Sequence, residues 1–259
     1  MSLPRKEVLH ELELLPVWRR RADVAVPETA NIAAPVVAPA EITPAPAEVA
    51  PLAAVAPVTV VPASEIMHLD WQALQATVAT CQACALAATR TQTVFGVGDP
   101  QAEWLFVGEA PGAEEDKRGE PFVGQAGKLL DNMLAAIDLK RGENVYIANV
   151  LKCRPPQNRD PQGEEVVKCD PYLKRQVELI RPKLIVAMGR FAAQSLLHTD
   201  SSITALRGKL HDYNGVPVIV TYHPAYLLRN LPDKARAWED LCFARRTMQG
   251  LQSAALPAS

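Results

Sequence analysis

The sequence lacks what would commit it to a membrane, to secretion or to a uniform hold on a polyanion. No stretch of about 18 apolar residues runs without proline or charge, so no membrane span is expected. The N-terminal MSLPRKEVLHELELL sets acids inside its apolar pattern and does not read as a secretory signal, which leaves a cytoplasmic location as the expectation. Charge of one sign is missing too. The net charge is −2, and residues 1–66 hold 5 of the 27 Lys/Arg and 8 of the 29 Asp/Glu, leaving 22 against 21 for the remainder. That balance excludes a global electrostatic footprint for nucleic acid, so any such contact must come from a local patch. No repeat of solenoid period is present. Cysteine is scarce, with five residues. In a reducing compartment so few thiols point to metal binding or catalysis before disulfides.

What is present divides by composition. Residues 1–21 contain a short amphipathic piece, LPRKEVLHELELLPVWRRR, closing on Arg19, Arg20 and Arg21. Residues 22–66 are dominated by Ala, Pro and Val, with no Gly and no aromatic residue. They read as a disordered, extended linker, because proline blocks both helix and strand ladder. Residues 67–250 have a globular pattern, and 251–259 read as a flexible tail. Within the globular part, Asp70 is placed to cap a helix through WQALQATVATCQACALAA. Strands are predicted at EWLFV, VYIANV, KLIVAM and PVIVTY. Helices are predicted at GQAGKLLDNMLAAIDL, EEVVKCDPYLKRQVELI, RFAAQSLLH and KARAWEDLCFARR. Alternating strands and helices imply an α/β fold of three layers, a central, mostly parallel sheet flanked by helices. Ligands of such sheets sit at the carboxyl ends of strands. Three segments leave predicted strands at that edge: GEAPG at 108–112, Asn149 and His223.

Two features there carry chemistry. Cys81 and Cys84 form a CxxC, and Cys153 and Cys169 follow with fifteen residues between them. Four thiolates suit either a [4Fe–4S] cluster or tetrahedral zinc, and the long second spacing favours a cluster. Cys242 stands apart in an apolar helix and reads as a buried thiol. The segment GEAPGAEEDKRGEPFVG, residues 108–124, is read as a loop. Its glycines let backbone amides approach a ligand, and Glu109, Glu114, Glu115 and Asp116 offer carboxylates at a strand end. The acids and the lack of a following GK[ST] disfavour a phosphate loop.

GEAPGAEED, EPFVGQAGKLLD, NVLKCRPPQNRDP and TYHPAYLLR, in this order and spacing and together with the four cysteines, resemble the family 4 uracil-DNA glycosylases. The resemblance spans roughly residues 70–248. It implies a parallel sheet flanked by helices, a [4Fe–4S] cluster and hydrolysis of the uracil N-glycosidic bond in DNA. Residue by residue, Cys81, Cys84, Cys153 and Cys169 resemble the cluster ligands. Gly108, Glu109 and Ala110 resemble the segment that meets uracil and the attacking water, although some relatives have glycine in place of Ala110. Phe122 resembles the ring that stacks on the flipped base, Asn149 the side chain that reads the uracil edge, and His223 the histidine beside uracil O2. Glu109 and His223 are then the catalytic pair, with Glu109 either a general base or an electrostatic element. Lys152, Arg154 and Arg159 are expected to face phosphates, and Tyr226 and Leu227, with Leu228, to fill the gap left by the flipped base.

Two other readings compete. A relative trapped covalently on abasic DNA would carry an added His/Arg-rich loop before the final motif, and the segment from Leu210 to His223 is too short for one. A metal-stabilised, non-catalytic DNA- or replisome-binding module is the second. LHELELLPVWRRR resembles the N-terminal segment of the clamp-loader psi subunit, which points to a replisome partner docking through residues 3–21. A monomer is expected.

Overall fold

The computed structural model describes residues 61–254. The amphipathic segment 3–21, most of the 22–66 linker and the end of the tail lie outside the described residues. The folded part begins earlier than composition suggests, because α1 (Ala63–Ile66) is helical and Ile66 is buried. A second helix, α2 (Trp71–Thr80), is capped by Asp70, whose side chain accepts from the Ala73 N–H at 2.8 Å. It stops at Cys81, which turns to extended backbone, and Ala85–Ala88 forms only a 3₁₀ turn. The longer helix expected through this alanine-rich run does not form.

Six strands make one sheet in the order β1-β3-β2-β4-β6-β5. They are β1 (Val97–Gly98), β2 (Trp104–Gly108), β3 (Val145–Asn149), β4 (Leu184–Met188), β5 (Leu210–Tyr213) and β6 (Val216–Thr221). The four central strands run parallel, and β1 and β5 pair antiparallel at the two edges. Every residue of β2, β3 and β4 is buried, as a sheet covered on both faces requires. The remaining helices are α3 (Ala113–Arg118), α4 (Gln125–Ala135), α5 (Gly163–Ile180), α6 (Arg190–Leu197), α7 (Ile203–Leu206), α8 (Pro224–Arg229) and α9 (Asp233–Ala254).

Strand alternation sends side chains to two separate cores. Phe106, Ile147, Val186 and Ile219 meet Leu130, Met133 and Leu134 of α4 and Leu241, Ala244 and Met248 of α9. Leu105, Val107, Ala148, Ile185 and Val218 meet Leu173, Val177 and Ile180 of α5 and Ala192, Ala193 and Leu196 of α6. Each fully buried Leu or Ile contributes about 1.5–3 kcal/mol. A third cluster joins Leu74 and Val78 of α2 to Leu151, Tyr172, Cys153 and Cys169. The chain passes from β2 outward to β3, then back across β2 to β4 and β6. That reversal opens a crevice at the carboxyl ends of the strands. No helix among the described residues is long and apolar enough to cross a membrane.

Candidate active site

The parallel register sets Gly108 directly beside Asn149 at the ends of β2 and β3. Backbone bonds from Val150 N–H to Gly108 O and from Leu151 N–H to Glu109 O, both 3.0 Å, hold the two chains together past the strand ends. A side chain on Gly108 would have to displace a neighbour. A Cβ on it would lie 2.4 Å from Asn149 Oδ1 and 2.5 Å from Phe122 Cζ. Asn149 is 2% exposed, and its Oδ1 is buried with no hydrogen-bond partner among the described residues. A buried acceptor without a donor costs about 1–3 kcal/mol, so this oxygen is built for a donor that comes from outside.

The other walls come from distant segments. Phe122 leads into α4, and its ring lies 5.4 Å from the His223 ring, centroid to centroid. His223 caps α8, with Nδ1 accepting from the Ala225 N–H at 3.1 Å. That bond fixes the tautomer, leaving the neutral ring's proton on Nε2. Burial, aided by Arg229 and opposed by Glu115, lowers the His223 pKa to about 4. Glu109 is pushed up to about 7 by burial and by Asp160, against Arg190. Gly108 packs against Asn149 Oδ1 and the Phe122 ring, and Glu109, Ala110, Phe122, Asn149, Tyr222, His223 and Tyr226 line one open cleft of about 850 Å³. The sequence-predicted pocket residues are thus brought together.

Several other expectations are corrected. Lys152 does not face solvent or phosphate. It is 1% exposed, and its ammonium donates to Asn149 O at 2.8 Å and Gln176 Oε1 at 2.6 Å. Because β3 continues into the buried pair Val150 and Leu151, the next side chain also points inward. Arg154 and Arg159 stay partly exposed: Arg154 donates to Asn158 Oδ1 at 2.7 Å, and Arg159, which lines the cleft, pairs with Glu165 through both terminal nitrogens. Leu227 cannot wedge into DNA, since it is 1% exposed and belongs to the core beneath α8, whereas Leu228 is 42% and Leu231 60% exposed. Tyr226 stacks on Tyr222 and donates its hydroxyl to Asp233 Oδ2 at 2.7 Å. Cys242 is half-buried, not buried. The 108–124 segment is not all loop, because its acids open α3. There they complement the positive helix N-terminus, and Gly119 in left-handed conformation ends the helix. Arg190, Arg229 and Arg236 line the cleft without having been singled out in the sequence. Their only signal was position, one residue after a strand-end glycine or inside the α8–α9 corner.

The four cysteines come together as expected in one respect. Cys81, Cys84, Cys153 and Cys169, from three separate segments, line a single cavity with Arg90, Lys152 and Tyr172. Arg90 Nη1 lies 3.0 Å from Cys153 Sγ, and the Lys152 N–H donates to Cys169 Sγ at 3.2 Å. No group of three or more His, Cys, Asp or Glu side chains among the described residues is arranged to hold a metal ion.

Comparison with known proteins gives a concordant picture. The model of the uracil DNA glycosylase superfamily matches residues 95–242. A type-4 uracil-DNA glycosylase of Archaeoglobus fulgidus is 54% identical over 157 residues, which cover 58% of this chain and 78% of that protein. A type-4 uracil-DNA glycosylase of Thermotoga maritima is 48% identical over 158 residues, covering 60% of this chain and 82% of its own. A type-5 uracil-DNA glycosylase of Pyrobaculum aerophilum is 34% identical, covering 50% and 64%.

Proposed function

The chain belongs to the uracil DNA glycosylase superfamily, on its type-4 branch, and from that premise we propose that it flips uracil out of DNA and hydrolyses the N-glycosidic bond, leaving an abasic site. The observation that carries this reading to particular residues is the unpartnered Asn149 Oδ1, buried beside an aromatic face. An enzyme that attacks C1′ must first take the nucleotide out of the stack. The freed base lies on Phe122. Asn149 Oδ1 accepts from uracil N3–H while its amide nitrogen donates to O4. Cytosine presents an acceptor and a donor in the reverse places, leaving two buried groups unpaired, which is a strong basis for rejection.

Cleavage sends the C1′–N1 electron pair to the base, where negative charge spreads to O2. His223, neutral and carrying its proton on Nε2, donates to that oxygen without first losing a charge. Glu109 holds the attacking water against C1′ and its carboxylate offsets the positive sugar. Water adds to C1′ and gives up a proton through Glu109 to solvent, and uracil leaves as the anion and takes up a proton from solvent. Cys81, Cys84, Cys153 and Cys169 would hold a [4Fe–4S] cluster. Four thiols lining one cavity are the donor set such a cluster takes, and the type-4 relatives favour it over zinc. When bound, the cluster supplies a crosslink between the segment after α2 and the loop after β3, because the hydrolysis itself moves no electrons. The DNA strand runs over Arg159, Arg190, Arg229 and Arg236 of the cleft, and the exposed Leu228 and Leu231, not the buried Leu227, are the apolar side chains free to fill the gap left by the base. A non-catalytic binding module would have no use for a buried acceptor and a tautomer-fixed histidine, and that alternative is not favoured.

Uracil-containing oligonucleotides, scored for alkali-labile breaks, test the reading. Wild-type protein cuts at uracil and not at cytosine. Asn149→Ala lowers the rate by about 100-fold or more, and an Asn149→Ala variant as active as the parent overturns the assignment. Iron and acid-labile sulfide analysis separates a cluster from zinc.

A further inference from the structure

The residue presenting the stacking ring sits in a backbone conformation it does not favour. Phe122 has φ 55°, in the left-handed region that side-chain-bearing residues enter only when their surroundings impose it. Two charged side chains impose it here. On the carbonyl side, Arg141 in the turn before β3 donates from Nη1 to Pro121 O at 3.0 Å and from Nη2 to Phe122 O at 2.9 Å. On the amide side, a single Glu115 oxygen accepts from the Val123 N–H at 2.9 Å and the Gly124 N–H at 3.1 Å. Four successive backbone groups are therefore gripped from opposite sides by opposite charges. The grip is anchored, because Arg141 Nε donates to Asp131 Oδ1 of α4 at 2.9 Å and Glu115 is fixed in the first turn of α3. Helix α4 closes the third side. A Cβ at Gly127 would lie 1.7 Å from Phe122 O, so the helix rests flush against the same peptide.

Charge-assisted bonds of this kind are stronger than neutral ones. A guanidinium fork on two consecutive carbonyls also sets an orientation that an ammonium cannot. We propose that Arg141 and Glu115 are positioning residues that hold Phe122 as a preformed stacking face for the extruded base, an inference that rests on the uracil-pocket reading above. Neither residue needs to touch the base. Both act by removing the ordering cost that a mobile ring would charge against binding. Losing either grip lets the 121–124 segment relax toward negative φ and swings the ring off the base.

A double-mutant cycle on the full chain tests this, with two readouts: kcat/KM on uracil DNA and competitive inhibition by free uracil. Arg141→Met is expected to weaken both by about tenfold. In a Phe122→Ala background the same substitution adds less than about twofold, because its effect runs through the ring. Arg141→Lys recovers part of the loss. Additive losses in the double variant overturn the proposal, as does a folded Arg141→Met protein with unchanged inhibition by uracil. If Arg141→Met does not fold, Glu115→Gln enters the same cycle under the same two criteria. The outcomes separate the clamp from the pocket itself: loss in Phe122→Ala without coupling to Arg141 removes only the clamp, whereas Phe122→Ala with full activity and full inhibition removes both.

Discussion

Glu109 should give excision a pH dependence that can be written down in advance. Its pKa of about 7, raised by burial and Asp160, means that the carboxylate is about 90% formed at pH 8, half formed at pH 7 and about 1% formed at pH 5. If the anion is the working form, kcat/KM falls about 90-fold between pH 8 and pH 5, along a limb of unit slope. His223 adds little to this limb, since with a pKa of about 4 it is still about 90% neutral at pH 5. Single-turnover excision from a uracil oligonucleotide at constant ionic strength provides the profile. Glu109→Gln should be slow and flat. Asp160→Asn should move the midpoint down, and Arg190→Gln should move it up. A second readout follows by linkage. The folded pKa lies above the ordinary 4.5, so this group's contribution to stability is full below that value and is lost as pH rises through about 7. The displacement corresponds to about 3 kcal/mol, which partial solvent exposure reduces to about 2 kcal/mol. The Tm advantage of Glu109→Gln over wild type should therefore be small near pH 4 and grow through pH 5 to its full size at pH 8. A flat wild-type profile, or an unchanged limb in Glu109→Gln, refutes the reasoning.

Gly108→Ala should lower kcat/KM by about 10-fold to 100-fold, because a methyl 2.4 Å from Asn149 Oδ1 and 2.5 Å from Phe122 must displace one of them; steady-state kinetics with a melting curve checks it. Arg207 makes a two-nitrogen pair with the buried Asp240 and lies over the Tyr222 ring at 4.6 Å. Removing it as Arg207→Met strands a buried carboxylate and should cost about 3–5 kcal/mol in urea unfolding. Cys153→Ser should lower iron content and Tm together, while Cys242→Ser leaves iron content unchanged, as metal analysis beside calorimetry would report.

Much of this architecture was legible because it rests on periodicity. The continuous apolar runs at 104–107, 145–148, 184–188 and 218–220, too short for helices, marked the buried central strands. The edge strands escaped notice, since β1 has two residues and LHDY in β5 is mostly polar and solvent-facing. The α2 boundary was lost because alanine favours helix, while the extended backbone at Cys81 is set by the cysteine cavity across the fold. Charges misled most. Lys152 reads like any surface lysine until Gln176 and the Asn149 carbonyl are seen to meet it. Glu115 does line the cleft, but its carboxylate also ties down Val123 and Gly124, while Asp116 is buried and accepts from the Thr91 N–H. The pocket residues themselves came from motif resemblance and strand-end position, two signals that agreed.

Gly127 and Gly108 bear on how this sequence tolerates change. At each, a single added carbon would overlap atoms of the pocket wall, backbone in one case and side chain in the other. A saturation library selected for uracil excision should therefore collapse to one residue at two positions that carry no functional group. Such a scan would rank them with Asn149 and His223, although their whole contribution is the volume they leave empty.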